Sequence, residues 1–140
     1  AITENSPYID QLMLFNNQSP YTVGLLVPNK DALLARLREQ GLSARTREGQ
    51  VAALRLLQGE IDAYRPGGRF EGLFPARWLP AAIAVLGEGF TEQNRFLNST
   101  LKMVRGRIAD FYKNRIDFLF TAEAKDIINH QNLTIVGRFE

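Results

Sequence analysis

The chain has 140 residues, of which 45% are hydrophobic and 23% charged, a composition sufficient for one hydrophobic core. It contains no cysteine, which excludes disulfides, a thiol nucleophile and thiolate metal ligands. Because His130 is the single histidine and cannot form a metal cluster by itself, we predict no metal site. The net charge of +2 is too small to indicate nucleic-acid binding.

The sequence carries no signal for export or membrane insertion. No apolar run approaches the ~20 residues that a membrane-spanning helix requires, and residues 1–4 lack the basic start and apolar middle of a signal peptide. We therefore expect a soluble cytoplasmic protein without a membrane span. Because the first residue is Ala1 rather than Met, we also expect the chain to be part of a longer protein.

The first half of the chain predicts a β-hairpin followed by two helices. Residues 9–15 and 21–27 are rich in branched and aromatic side chains and are separated by turn-forming residues. The second run is apolar on both faces, which predicts a central strand. Asn29 is the expected N-cap of a helix that stops at Gly41, and a second apolar-striped helix is expected after Thr46.

The next predicted elements are a loop, a third strand and an amphipathic helix. The loop, residues 65–80, contains three prolines, and we expect Phe70, Phe74 and Trp78 to pack it down. A strand is predicted over residues 81–86. The helix is predicted after Lys102, and its apolar side should cover the sheet with Ile108, Phe111, Tyr112, Ile116 and Leu119.

The tail, residues 121–140, is interpreted as an additional element, with a short helix at 126–129 and a strand at 133–136. Together these elements predict an α+β fold: a small central β-sheet, made of the hairpin plus a further strand, with helices packed on it.

The strongest functional signal lies in residues 90–105, which read Phe-Thr-x-x-Asn-x-x-Leu-x-x-Thr-Leu-Lys-x-x-Arg. The ammonium group of Lys102 is a mobile point charge that can stabilise charge developing on a carboxylate or phosphate. From charge alone, Lys102 could equally be an ordinary surface lysine near the start of a helix. The basic residues from Lys102 to Arg115 would form either a solvated helix face or an anion-binding edge. No phosphate loop, dinucleotide fingerprint or nucleophile elbow occurs in the sequence.

This pattern resembles the last conserved segment of long-chain acyl-CoA synthetases, members of the adenylate-forming (AMP-binding) superfamily. Residues 6–11 and 20–28 are similar to the hairpin that these enzymes carry after their inter-domain hinge. The resemblance implies that residues 1–140 are a single C-terminal lid domain. The N-terminal adenylation domain, with the hinge and the phosphate loop, would lie outside this chain.

The resemblance also implies an activity for the full-length protein, an AMP-forming long-chain-fatty-acid–CoA ligase. ATP and Mg²⁺ would be bound mainly by the N-terminal domain, the fatty acid would become acyl-AMP, and the C-terminal domain would then rotate so that coenzyme A can attack. Lys102 is the implied catalytic lysine of adenylation, and Thr100 and Leu101 are implied substrate-positioning residues. We assign acceptor binding to Arg105 and Arg107, and expect the chain alone to be inactive.

The sequence departs from the family pattern at three positions of this segment. Arg95 takes the place of a glycine, Asn98 of a threonine and Ser99 of a proline, which leaves the geometry of the loop open.

An alternative function of a different class is a non-catalytic interaction module, in which the hairpin and the basic helix dock an acyl carrier protein or another acidic partner. Nucleic-acid binding is not favoured, because the basic face lacks interleaved aromatic residues. The acyl chain length, and the choice between coenzyme A and a carrier protein as acceptor, stay open at this point.

Overall fold

A three-stranded sheet organises the chain in the computed structural model, which describes residues 2–140. The strands are β1 (Ile9–Phe15), β2 (Val23–Pro28) and β3 (Ala82–Val85), in the order β1-β2-β3. β1 pairs antiparallel with β2, while β2 pairs parallel with β3. The predicted α+β class and the central position of the second strand are confirmed.

Strand β2 is apolar throughout because both faces of the sheet are covered. On one face, Leu26 belongs to a core that the sheet forms with the helices covering that face. On the other face, Val23, Leu25 and Val27 join a second core. The sheet is therefore the middle of three layers, and its central strand carries side chains into both cores.

The first face is covered by α1 (Lys30–Glu39), α2 (Arg47–Asp62) and α5 (His130–Gly137). The first two begin where the sequence predicts. The Asn29 side chain accepts a hydrogen bond from the Ala32 amide at 3.1 Å, and the Thr46 hydroxyl accepts one from the Gly49 amide at 3.1 Å. The left-handed Gly41, at φ +71°, follows the end of α1.

The second face is covered by two short helices, α3 (Arg105–Phe111) and α4 (Lys113–Phe118), where one continuous helix was predicted. The helix is interrupted at Tyr112, whose dihedral angles are φ −99° and ψ 23°. Ile108, Ile116 and Leu119 are buried against the sheet as predicted, but Phe111 is 69% exposed. The prediction for Phe111 was wrong because the break changes which residues share a face.

In the tail, the predicted strand at residues 133–136 is wrong, since these residues lie within α5. The predicted helix at 126–129 is also wrong, because the 3₁₀ turn there covers Glu123–Lys125. Asn129 ends this stretch as the N-cap of α5 and accepts from the Asn132 amide at 3.1 Å. The branched residues of α5 favour a strand in isolation, but the helix packs them against α2.

The loop of residues 65–80 is anchored by aromatic contacts, as predicted for two of its three rings. Phe70 and Phe74 lie 5.1 and 5.3 Å from the ring of the buried Tyr64, measured between ring centroids. Trp78 does not pack the loop down, because 52% of its surface is exposed. Over residues 2–140, no helix is both long and apolar enough to cross a bilayer.

Glu140 fastens the segment after α5 to the loop between α1 and α2. One carboxylate oxygen of Glu140 accepts hydrogen bonds from the Ser43 hydroxyl and the Ala44 amide, each at 2.8 Å. These bonds, with smaller contributions from Arg45 and Arg38, lower the pKa of Glu140 below its ordinary value of 4.5.

The lowered pKa of Glu140 predicts a stability contribution that depends on pH. The contribution should be complete above the unfolded pKa and should disappear as pH falls through the folded pKa. We expect Glu140→Gln to lower the free energy of unfolding at pH 7 but not at pH 2. Urea denaturation at both pH values measures this, with Glu92→Gln, on the exposed loop after β3, as the control. An equal loss at both pH values would contradict the assignment.

Candidate functional site: the lysine hairpin

The segment that leads to Lys102 is fastened to the sheet at its first residue. Gln11, on β1, holds the main chain of Phe90 at two points. Its Nε2 donates to the Phe90 carbonyl at 3.0 Å, and its Oε1 accepts from the Phe90 amide at 2.7 Å. The Phe90 ring is buried in the second core. The role of Gln11 was not predicted from the sequence, because its partner lies 79 residues away.

The Thr-x-x-Asn part of the motif is a small hydrogen-bonded turn. The Thr91 amide donates to the Asn94 side-chain oxygen at 3.0 Å, and the Asn94 amide donates to the Thr91 hydroxyl at 3.1 Å. The same Asn94 oxygen accepts from the Phe96 amide at 3.1 Å, and the Asn94 Nδ2 donates to the Gly89 carbonyl at 2.9 Å. These reciprocal bonds explain why threonine and asparagine occur at this spacing.

Lys102 lies in a tight hairpin that follows this turn. Leu97 and Met103 form an antiparallel bridge, and the Val104 amide donates to the Phe96 carbonyl at 2.8 Å. At the tip, the Asn98 amide donates to the Lys102 carbonyl, and the Leu101 amide donates to the Asn98 carbonyl, both at 2.9 Å. We call residues 97–103 the lysine hairpin. Its main chain is held by a ladder of hydrogen bonds, whereas the side chain of Lys102 is exposed.

Two residues of this segment adopt the left-handed conformation that favours glycine. Arg95 has φ +67° and Leu101 has φ +62°. Arg95 stands where the motif pattern that the sequence resembles has glycine, and it adopts the left-handed conformation although it has a side chain. For residues other than glycine, this conformation costs roughly 1–2 kcal/mol.

The strain at Arg95 predicts that Arg95→Gly stabilises the protein. The expected gain in the free energy of unfolding is about 0.5–1 kcal/mol, because relief of the strain exceeds the added entropy of the unfolded chain. Chemical denaturation at pH 7 measures the gain. Arg95→Ala is the matched control, since it removes the same charge but keeps a Cβ, and it should not stabilise. Equal effects of the two substitutions would show that charge, not backbone conformation, is responsible.

The structure places the three predicted active-site residues on consecutive positions of one exposed tip. Thr100 Oγ1 donates to the Asn98 side chain at 2.8 Å. Leu101 is 64% exposed. An exposed ammonium on a rigid hairpin can enter a cleft of another domain and place a positive charge beside an anionic group.

The structure does not bring Arg105 and Arg107 into helical register with Lys102. α3 begins at Arg105, so Lys102 precedes the helix, and residues two apart on a helix do not face each other. Arg105 Nη2 donates to the Leu14 carbonyl on the outer strand β1. Arg105 therefore ties the start of α3 to the sheet, and Arg107 is exposed on the first turn of α3.

At the break between α3 and α4, burial raises the pKa of Tyr112, and the Glu88 carboxylate raises it further. The hydroxyl of Tyr112 is thus protonated at physiological pH. Its ring lies 6.0 Å from Phe96 and 4.8 Å from Phe111, measured between centroids, which supports the base of the lysine hairpin.

No protein-family model and no curated protein matches the sequence. Solved structures do match. The adenylation domain of the carboxylate reductase from Mycobacterium chelonae has a TM-score of 0.64 and 20% identity, with 86% of this chain and 17% of that chain covered. The fold is that of a segment of an adenylation domain.

Two structures from Segniliparus rugosus extend this likeness. The adenylation domain of its carboxylic acid reductase, in complex with AMP and a co-purified carboxylic acid, has a TM-score of 0.59 and 21% identity over 86% of this chain and 17% of that chain. The A-PCP didomain of the reductase, in complex with AMP, has a TM-score of 0.57 and 22% identity over 85% of this chain. The chain covers 15% of the didomain, so it spans less than a fifth of each structure that it matches.

Proposed function

We propose that this chain is the mobile C-terminal domain of an AMP-forming, acid-activating enzyme, and that the full-length enzyme is a fatty acid–CoA ligase. The observation that carries the proposal is the lysine hairpin, which presents the exposed Lys102 on a hydrogen-bonded tip that is anchored to the sheet. The fold shared with adenylation domains supports the enzyme class, and the 90–105 motif supports the lysine.

In the first half-reaction, a carboxylate oxygen of the acid attacks the α-phosphorus of ATP. The bond from that phosphorus to the bridging oxygen breaks, and pyrophosphate leaves. Negative charge moves from the carboxylate to the phosphates in the transition state, where the ammonium of Lys102 stabilises it. Thr100 and Leu101 are proposed to position Lys102 relative to the substrate. ATP and Mg²⁺ would be held mainly by the N-terminal adenylation domain, because this chain has no phosphate loop.

In the second half-reaction, the thiol of coenzyme A attacks the acyl carbonyl carbon of acyl-AMP, and AMP leaves. The acceptor carries phosphates away from its thiol, so positive charge at the domain boundary would favour its binding. Arg107 fits this role better than Arg105, because the guanidinium of Arg105 is already bonded to Leu14.

The proposal is tested with the full-length enzyme, ATP, Mg²⁺, palmitate and coenzyme A. We expect palmitoyl-CoA, AMP and pyrophosphate in equal amounts. The chain of residues 1–140 alone should release no pyrophosphate, and such release would contradict the proposal. Absence of acid-dependent exchange between pyrophosphate and ATP in the full-length protein would instead support the non-catalytic interaction module.

A carrier protein is the second candidate acceptor, favoured by the A-PCP didomain among the similar structures.

We expect Arg107→Ala to raise KM for coenzyme A several-fold and to leave KM for ATP unchanged. Steady-state kinetics at two ionic strengths measure this, since loss of an acceptor contact also reduces the salt dependence. The control is Arg138→Ala, which removes an exposed arginine directly after α5. Unchanged dependence on coenzyme A would remove Arg107 from the acceptor site.

A further inference from the structure

The side chain of Asn98 lies at the centre of the lysine hairpin. Its Oδ1 accepts hydrogen bonds from the Thr100 amide at 2.9 Å, the Thr100 hydroxyl at 2.8 Å and the Lys102 amide at 3.0 Å. One carboxamide oxygen therefore contacts both residues on either side of Leu101. The main-chain amide of Asn98 also donates to the Lys102 carbonyl, which joins the two ends of the turn.

These side-chain bonds add to the main-chain hydrogen bonds of the turn. Ser99 and Thr100 do not have positive φ angles, and the Leu101 amide donates to the Asn98 carbonyl, which together indicate a type I turn. Leu101 then takes the left-handed position of a three-residue hairpin loop, which glycine usually occupies. The three bonds to Asn98 offset the strain of a leucine at this position.

We propose that Asn98 is a positioning residue that fixes the main-chain geometry from which the Lys102 side chain extends, an inference that rests on the proposed function of this lysine. Asn98 is exposed, so its removal leaves the freed amides accessible to water rather than buried. The cost to overall stability is therefore small. The cost to catalysis is larger, because a displacement of about 1 Å in a catalytic group can lower the rate about 100-fold.

The test uses Asn98→Ala in the full-length enzyme. We expect kcat for acyl-adenylate formation to fall about 10- to 100-fold, with KM for ATP and for the acid nearly unchanged. Adding Ser99→Pro should restore most of the lost kcat, because proline presets φ at the second position of a type I turn. In a Lys102→Ala background, Asn98→Ala should cause no further loss, since it acts through the lysine.

A readout independent of activity is hydrogen exchange in the peptide that spans residues 96–104 of the full-length enzyme. Asn98→Ala should speed exchange there, and Ser99→Pro should slow it again. Unchanged exchange, or an unchanged kcat while Lys102→Ala abolishes adenylation, would overturn the role of Asn98 and leave the proposed function intact. If Lys102→Ala itself leaves adenylation unchanged, the proposed function fails instead.

Discussion

Replacing Lys102 by alanine in the proposed full-length enzyme is expected to slow acyl-adenylate formation by about 100- to 1,000-fold, equivalent to ~2.7–4 kcal/mol of transition-state stabilisation. The loss arises because the ammonium interacts with charge that develops only during the reaction. Thioester formation from preformed acyl-AMP should be much less affected, since in the proposed cycle the domain has rotated by then. Single-turnover measurements of the two half-reactions separate these effects.

Lys125→Ala, at the last residue of the 3₁₀ turn Glu123–Lys125, is the control for the effect of losing one exposed positive charge on the two half-reactions. Lys102→Ala should leave the free energy of unfolding nearly unchanged, because the side chain is exposed. An equal loss in both half-reactions would show that Lys102 is structural or that the domain does not rotate between them.

The largest effect on stability is expected at Asn132, a buried residue of α5 with 1% of its surface exposed. Its side chain bonds to the main chain of β3 along the free edge of that strand. Its Oδ1 accepts from the Val85 amide at 2.8 Å, and its Nδ2 donates to the carbonyls of Ile83 at 2.8 Å and Ile127 at 3.0 Å. The carboxamide thus takes the place of a peptide group from a further strand.

Asn132→Leu keeps a side chain of similar size but leaves these main-chain groups without their partner. Each buried polar group left unpaired costs about 1–3 kcal/mol, so we expect a total loss of about 3 kcal/mol or more in the free energy of unfolding. Arg115 should lose support as well, because its Nη2 donates to the Asn132 oxygen at 3.0 Å, and burial already lowers the pKa of its guanidinium.

Urea denaturation measures the effect of Asn132→Leu. Asn114→Leu is the control, because Asn114 is exposed on α4 and its replacement should change stability by less than about 0.5 kcal/mol. Similar midpoints for the two variants would show that the edge of β3 does not depend on Asn132.

The elements set by local chemistry were predictable from the sequence. The hairpin strands, the Asn29 and Thr46 caps and the stop at Gly41 depend on residues close to each other in the chain, and the structure confirms them. The role of Asn132 was not predictable, because its partners lie 47 and 49 residues away in β3. Without that contact, branched residues 133–136 indicate a strand rather than the helix that forms.

The candidate site was predictable in part for the same reason. Lys102, Thr100 and Leu101 were found from the order of residues in the motif, and their catalytic roles stay predictions. The contact between Gln11 and Phe90 joins residues 79 positions apart, so no local pattern indicates it. The break at Tyr112 was also missed, because the apolar spacing of residues 108–119 fits one continuous helix equally well.

The two anchors of the lysine hairpin have a mechanical consequence. Gln11 fixes the segment before the hairpin, and Arg105 fixes the helix after it, both to strand β1. With both anchors on β1, we expect the tip to move together with the domain rather than as a flap with its own hinge. In the proposed enzyme, the distance that Lys102 travels is set by the angle of the domain and its distance from the rotation axis, so withdrawal of the lysine and admission of the acceptor occur as one movement.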